Sequence, residues 1–190
     1  MTDNDGDSPM DERISFHALR MEDDENVRYF NDVYDDAFPD YEQRTREGRG
    51  TILRAAPTFR AWVLSYQGRN AGILGGWQVG EWFYIEHFAV DNALRGQGIG
   101  KLAMDEINTR FAQVILEIDP PQDTVSRNRL AFYQGRGYVT NGVNHAHPSY
   151  KPAYQPHVLE VLSFPRRLTA AEYDAFNQQL QQVVMAEQGL

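Results

Sequence analysis

The chain has 190 residues, 42% of them apolar and 12% aromatic, which suits one hydrophobic core rather than two. It contains no cysteine, which excludes disulfides, thiolate zinc sites and a cysteine nucleophile and fits a cytoplasmic protein. The net charge of −9 is uneven: residues 1–12 hold Asp3, Asp5, Asp7, Asp11 and Glu12 with no Lys or Arg, so −9 minus −5 leaves −4 for the rest.

That acidic leader reads as a solvated tail, and it lacks the basic and apolar regions of a secretory signal. A slightly acidic body argues against general nucleic-acid binding, which needs a basic face. No apolar run reaches the roughly 20 residues that cross a bilayer, so no membrane partner is expected.

Ile14 to Leu19 alternates as a first strand. Val27, Phe30, Val33, Tyr34 and Phe38 then recur at helical spacing up to Pro39. A second helix is expected from Asp40 to Gly48. The arginines of RTREGRGTILRAAPTFR, from Arg44 to Arg60, read as a solvated helix end and loop. Three strand candidates follow in RAWVLSYQ, NAGILGGWQV and EWFYIEHFAV, joined by short hairpins at Gly68-Arg69-Asn70 and Gly80.

Ile99, Leu102, Ala103, Ile107 and Phe111 mark the next helix, and QVILEID the strand after it, closed by Pro120-Pro121. SRNRLAFYQGRG predicts a helix ending at glycine, and GYVTNGV and HVLEVLSF a final strand pair. Thr169 and Glu172 form a capping-box pattern ahead of an apolar stripe of Tyr173, Phe176, Leu180, Val183 and Val184, which fits core or dimer contact. This order predicts an α/β chain with a mixed sheet and helices on both faces, its crossover from EWFYIEHFAV to QVILEID running parallel.

Between that crossover's first strand and its helix lies RGQGIGKL. Bare backbone amides at a helix start suit an anion. A P-loop fails twice, because Arg95 stands where its first glycine belongs and Leu102 follows Gly100-Lys101. A dinucleotide fingerprint fails on spacing, and Asp91-Asn92-Ala93-Leu94 intervenes after the strand.

Arg95-Gly96-Gln97-Gly98-Ile99-Gly100 resembles the R/Q-x-x-G-x-G/A signature of the GNAT (Gcn5-related N-acetyltransferase) superfamily. FAVDNALRGQGIGKLAM is similar to that family's central strand, loop and helix, and LAFYQGRGYV resembles its second signature. AFPDYEQR and VLSFPRRL resemble a bacterial subgroup of unassigned substrate. The similarity covers roughly residues 14–168. It implies the GNAT fold, a mixed and mostly antiparallel sheet of six to seven strands, with a C-terminal helix added. An acidic tail over 1–12, a domain over 13–168 and a helix over 169–190, packed on the domain or at a homodimer interface, complete the expected organisation.

The resemblance also implies the chemistry. Acetyl-CoA is the acyl donor. Its pyrophosphate is expected on Arg95, Gly96, Gln97, Gly98, Ile99, Gly100 and Lys101, and its pantetheine along Phe88, Ala89 and Val90. Tyr133 is expected to protonate the departing thiolate. The family's frequent asparagine, seven residues before the tyrosine, is Ser126 here, with Asn128 nearer the cofactor. The acceptor is expected to be a small-molecule amine; a non-catalytic acyl-CoA sensor and a protein N-terminal or lysine acetyltransferase are the alternatives.

Strand alternation puts Tyr84, Glu86, Phe88 and Val90 on one face and Ile85, His87 and Ala89 on the other. A carboxylate in an aromatic strand is the candidate base or water-holder, with a pKa expected to be raised, so Glu86 joins Tyr133 as a catalytic candidate, with His87 as the other candidate for the base. Phe38, Tyr41, Tyr84 and His87 are candidates for acceptor binding. His145-Ala146-His147 lies in a Pro- and Tyr-rich loop and is expected beside the acceptor pocket rather than on a metal.

Overall fold

The computed structural model describes residues 13–186. The acidic segment 1–12 and residues 187–190 lie outside the described residues. In chain order the elements are β1 (Ile14–Ala18), α1 (Asp24–Ala37), α2 (Arg46–Ala55), β2 (Phe59–Tyr66), β3 (Arg69–Val79), β4 (Trp82–Val90) and α3 (Ile99–Arg110). They continue with β5 (Val114–Ile118), α4 (Thr124–Gln134), β6 (Val139–Thr140), β7 (Ala146–His147), β8 (His157–Val158), β9 (Glu160–Phe164) and α5 (Ala170–Gln179), which runs on as a π-helix over Leu180–Val184.

Seven strands form one sheet in the order β1-β2-β3-β4-β5-β9-β6, and β7 pairs with β8 in a separate ribbon. Within the large sheet β4 and β5 are parallel and every other pairing is antiparallel. Two cores follow from the alternation of the strands. On one face Phe30, Tyr34, Ile52, Trp77, Tyr84, Phe176 and Leu180 are packed beneath α1, α2 and α5. On the other, Leu74, Phe83, Ile99, Met104, Ile107 and Leu116 pack beneath α3. Helices therefore cover both faces, and α1, α3 and α5 bury residues of the stripes that their periodicity marked.

Three expectations are corrected. The helix expected over Asp40–Gly48 is a short 3-10 turn at Asp40–Glu42 followed by α2. Thr45 sets the start of α2, its side chain accepting from the Gly48 amide at 3.0 Å. The arginine run does not simply face water: Arg44 is 2% and Arg49 7% exposed. Both are buried because each guanidinium finds partners. Arg49 donates to Asn31, to the Arg44 carbonyl and to Asp35, and lies over the Tyr34 ring.

The third correction concerns β4. Pairing with β3 runs Leu74↔Phe88 and Gly75↔His87, then Gly76↔Ile85, which leaves Glu86 as an extra residue. This is a β-bulge, and it inverts the alternation beyond it. Phe88 and Val90 pack with Phe83 and Ile85 on the α3 face, while Ala89 joins Tyr84 on the other. Glu86 and His87, adjacent in sequence, both turn toward the α1 and α2 side, where they meet Arg44 and Trp77, and Tyr34 and Phe38, respectively. Gly76 makes room opposite, since a Cβ there would come within 2.5 Å of Phe83 Cζ and of the Tyr84 carbonyl oxygen.

Candidate active site

The parallel pairing of β4 with β5 stops after Phe83↔Val114 and Tyr84↔Ile115, so the two strands diverge. Beyond that point the β5-facing edge of β4 has no strand partner, and its main-chain groups border a cavity of about 720 Å³. The cavity brings together most of the expected site: Phe38, Tyr41, Tyr84, Glu86, His87, Phe88, Ala89, Val90, Arg95, Asn128 and Tyr133 all line it. It also takes in Glu42, Glu117, Asp119, His147, Tyr150 and His157.

At one end the loop after β4 turns into α3. Gly96 (φ 79°) and Gly98 (φ 78°) adopt the left-handed conformation that favours glycine, and a Cβ at either position would meet nothing within 4 Å. Gly98 is the N-cap of α3, and no side chain caps that helix start. Gly96, Gln97, Gly98 and Lys101 are exposed, whereas Ile99 is a core residue and offers a ligand only its backbone. An open, uncapped helix N-terminus presents partial positive charge and free amides, which fits a pyrophosphate.

Tyr133 projects from α4 into the cavity. Among the described residues its hydroxyl has no hydrogen-bond partner, and burial pushes its pKa up to about 12, so it stays protonated. Ser126 is absorbed locally, closing a capping box with Asp123 (Asp123 Oδ1 accepts from the Ser126 amide at 2.7 Å), while Asn128 stays at the cavity wall.

Glu86 differs from its expectation. Its carboxyl is buried, with both oxygens engaged: Arg44 Nε and Nη2 donate to Oε1 at 2.9 and 2.6 Å, Tyr150 donates to Oε1 at 3.0 Å, and Trp77 Nε1 donates to Oε2 at 2.7 Å. Burial alone would raise its pKa, but the Arg44 charge, His87 and the hydrogen bonds outweigh it and bring it down to about 2. The expected rise is thereby reversed. A carboxylate so held is a fixed negative charge and a poor proton acceptor.

Arg44 also donates to the Val184 carbonyl at 2.7 Å, which ties the C-terminal helix to this ion pair. A second buried carboxylate, Glu117 on β5, accepts from the Tyr84 hydroxyl at 2.6 Å and pairs with His145 Nε2, whose Nδ1 meets the Tyr173 hydroxyl at 2.9 Å. Of the two loop histidines, His147 lines the cavity and His145 lies behind it.

Burial pushes the His87 pKa down to about 4, against the pull of Glu86, so its imidazole is neutral. At the far mouth Glu42, Asp119 and His157 bring ligand atoms within 4.8 Å of one another. His157 Nε2 lies 3.1 Å from Asp119, which also accepts from Arg129 at 3.1 Å. Sequence spacing does not mark this trio, because its members come from three distant segments of the chain.

A diverging parallel strand pair, a glycine-opened helix at one end and a protonated tyrosine between suit a CoA-dependent acyltransferase. Residues 57–140 match the family model described as an acetyltransferase (GNAT) domain. No curated protein matches the chain in sequence.

Among solved structures, a Bacteroides thetaiotaomicron protein assigned to the GNAT family superposes with a TM-score of 0.86 at 22% identity, over 90% of this chain and 98% of that one. The ribosomal-protein-S18-alanine N-acetyltransferase of Escherichia coli superposes at 0.56 with 15% identity, over 83% of this chain and 96% of its own. A spermidine N-acetyltransferase chimera from Vibrio cholerae gives 0.58 at 11%, over 87% and 99%. At these identities the likeness speaks for the fold. Among the described residues no helix is long and apolar enough to cross a membrane.

Proposed function

We propose that the chain transfers the acetyl group of acetyl-CoA directly to a primary amine of a small molecule in the cytoplasm. The observation that carries this reading is the cover over the acceptor end of the cavity. Two segments meet across it: Lys151 pairs with Asp40, Tyr154 donates to Asp40 Oδ2 at 2.8 Å, and the Tyr41 ring packs against Tyr154 and His157. A bridged pocket suits a compact amine better than a segment of protein chain, which needs an open groove.

Three groups divide the work. Main-chain amides along Phe88–Val90, on the unpaired edge of β4, hold the pantetheine and donate to the oxyanion of the tetrahedral intermediate. The Gly96–Lys101 amides take the pyrophosphate. Tyr133 gives its proton to the leaving thiolate, a role that needs a hydroxyl still protonated at working pH and free of protein partners.

The test is CoA release by the full chain with acetyl-CoA against amines, polyamines, aminoglycosides, amino acids and peptides. Turnover on small amines is expected. Turnover on peptides alone would overturn the acceptor class, and acetyl-CoA binding without release on any acceptor would make the protein a sensor. Tyr133→Phe should lower kcat by about 10²-fold while acetyl-CoA affinity stays near wild type, the pattern of a group that acts only in the transition state. Unchanged kcat would leave Tyr133 as a packing residue.

A further inference from the structure

The β4 bulge leaves one buried acceptor atom without a partner. His87 is 5% exposed and lines the cavity. Its Nε2 lies 2.9 Å from the Glu42 carbonyl oxygen, which can only accept, so Nε2 carries the ring proton. Tyr34 Oη lies 3.0 Å from the same nitrogen. In the neutral imidazole Nδ1 therefore holds a lone pair. Glu86 Oε2 lies 4.0 Å from it, beyond hydrogen-bond reach, and among the described residues nothing donates to it.

A buried acceptor left unpaired is destabilising, and a catalytic role is one reason for a structure to keep one. The missing partner is a donor small enough to stand between Nδ1 and a carboxylate. An alkylammonium is such a donor.

We propose that His87 Nδ1 receives the proton of the acceptor ammonium, with Glu86 as the fixed charge beside it; this rests on the amine-acetylating reading above. The ammonium N–H breaks as Nδ1–H forms, and the freed electron pair attacks the acetyl carbonyl. The C–S bond then breaks, the thiolate takes the Tyr133 proton, and the second proton on the amide nitrogen returns to the Tyr133 oxygen. The His87 proton leaves to solvent, so one proton is released per acetyl group transferred.

Burial does not oppose this step as it opposes protonation from bulk water. The environment that disfavours imidazolium disfavours the ammonium in the same place, and transfer moves a charge by one hydrogen-bond length without creating one. Glu86 then stabilises the imidazolium, a role for which its own commitment to Arg44, Trp77 and Tyr150 is an advantage.

The charged and titratable groups facing His87 are Glu86 on its own strand, Tyr34 on α1, Arg44 ahead of α2, His147 on β7 and Tyr150 between β7 and β8.

Two measurements on the full chain test the proposal. Nitrogen NMR of the histidines should show His87 as the Nε2–H tautomer with a bare Nδ1; an Nδ1–H tautomer overturns the assignment whatever the activity. For kinetics the probes are ethylamine, an ammonium at pH 8, and 2,2,2-trifluoroethylamine, already neutral there. His87→Ala should lose about 10²-fold in kcat/KM with ethylamine and less than tenfold with trifluoroethylamine, with acetyl-CoA affinity within twofold of wild type. Equal losses with both amines would mark His87 as a structural residue and overturn the proposal. Should the wild-type chain acetylate no amine in the wider panel, the function above fails, while the tautomer still decides the state of His87.

Discussion

Gly98 is the N-cap of α3. Its φ of 78° suits glycine, and the space where a Cβ would point is open, so the constraint there is conformational rather than steric. Asn and Asp both tolerate that conformation better than other side chains. Gly98→Asn therefore controls for backbone strain, and Gly98→Asp adds a negative charge where phosphate is expected. Calorimetry should find acetyl-CoA affinity at least tenfold weaker for the Asp variant than for the Asn variant, about 1.4 kcal/mol. Equal affinities would move the pyrophosphate elsewhere. The places of Gly98 at the start of α3 and of Tyr133 on α4 follow from short local motifs. The burial of Arg44 does not, since a run of arginines ordinarily faces water and its partners lie 42 residues away at Glu86 and 140 away at Val184.

At the level of elements, α2 apart, the strands and helices that punctuation and periodicity marked are present to within about three residues, from β1 through the capping box of α5. What alternation could not reveal is a residue inserted into a strand. Period two assigns Phe88 and Val90 to the face of Tyr84 only if no bulge intervenes, and the bulge at Glu86 moves every later side chain across the sheet. The same bulge buries the Glu86–Arg44 pair. Removing one member of such a pair strands the other, at a cost of about 3–5 kcal/mol. Glu86→Gln should lose that much in denaturant unfolding at neutral pH, with Arg44 left charged and 2% exposed. Arg44→Met combined with Glu86→Gln should recover most of the loss, because the Gln oxygen can still accept from Trp77 Nε1 while its NH2 donates to the Tyr150 hydroxyl oxygen. A single variant that loses under 1 kcal/mol would show that the pair is solvated.

For the molecule as a whole, the two adjacent residues of the bulge set a dependence of stability on pH that activity does not enter. His87 is held down from 6.5 to about 4 in the fold, first by burial, so between those values the unfolded chain binds more protons than the folded one. Its contribution is complete above pH 6.5 and is lost as pH falls toward 4. Glu86, held near 2 against an ordinary 4.5, adds a second loss between pH 4.5 and 2. Each amounts to about 3 kcal/mol at most, from 1.36 kcal/mol per pKa unit. Unfolding free energy, measured by denaturant titration across pH 7 to 4.5, should therefore decline in the wild-type chain through His87 before Glu86 begins to titrate. His87→Gln, which cannot take a proton, should flatten that decline while leaving the steeper fall below pH 4.5 in place. A wild-type chain whose stability stays level from pH 7 to 5 would mean that His87 titrates near its ordinary value and is not enclosed by the bulge, Tyr34 and Phe38 as the packing requires.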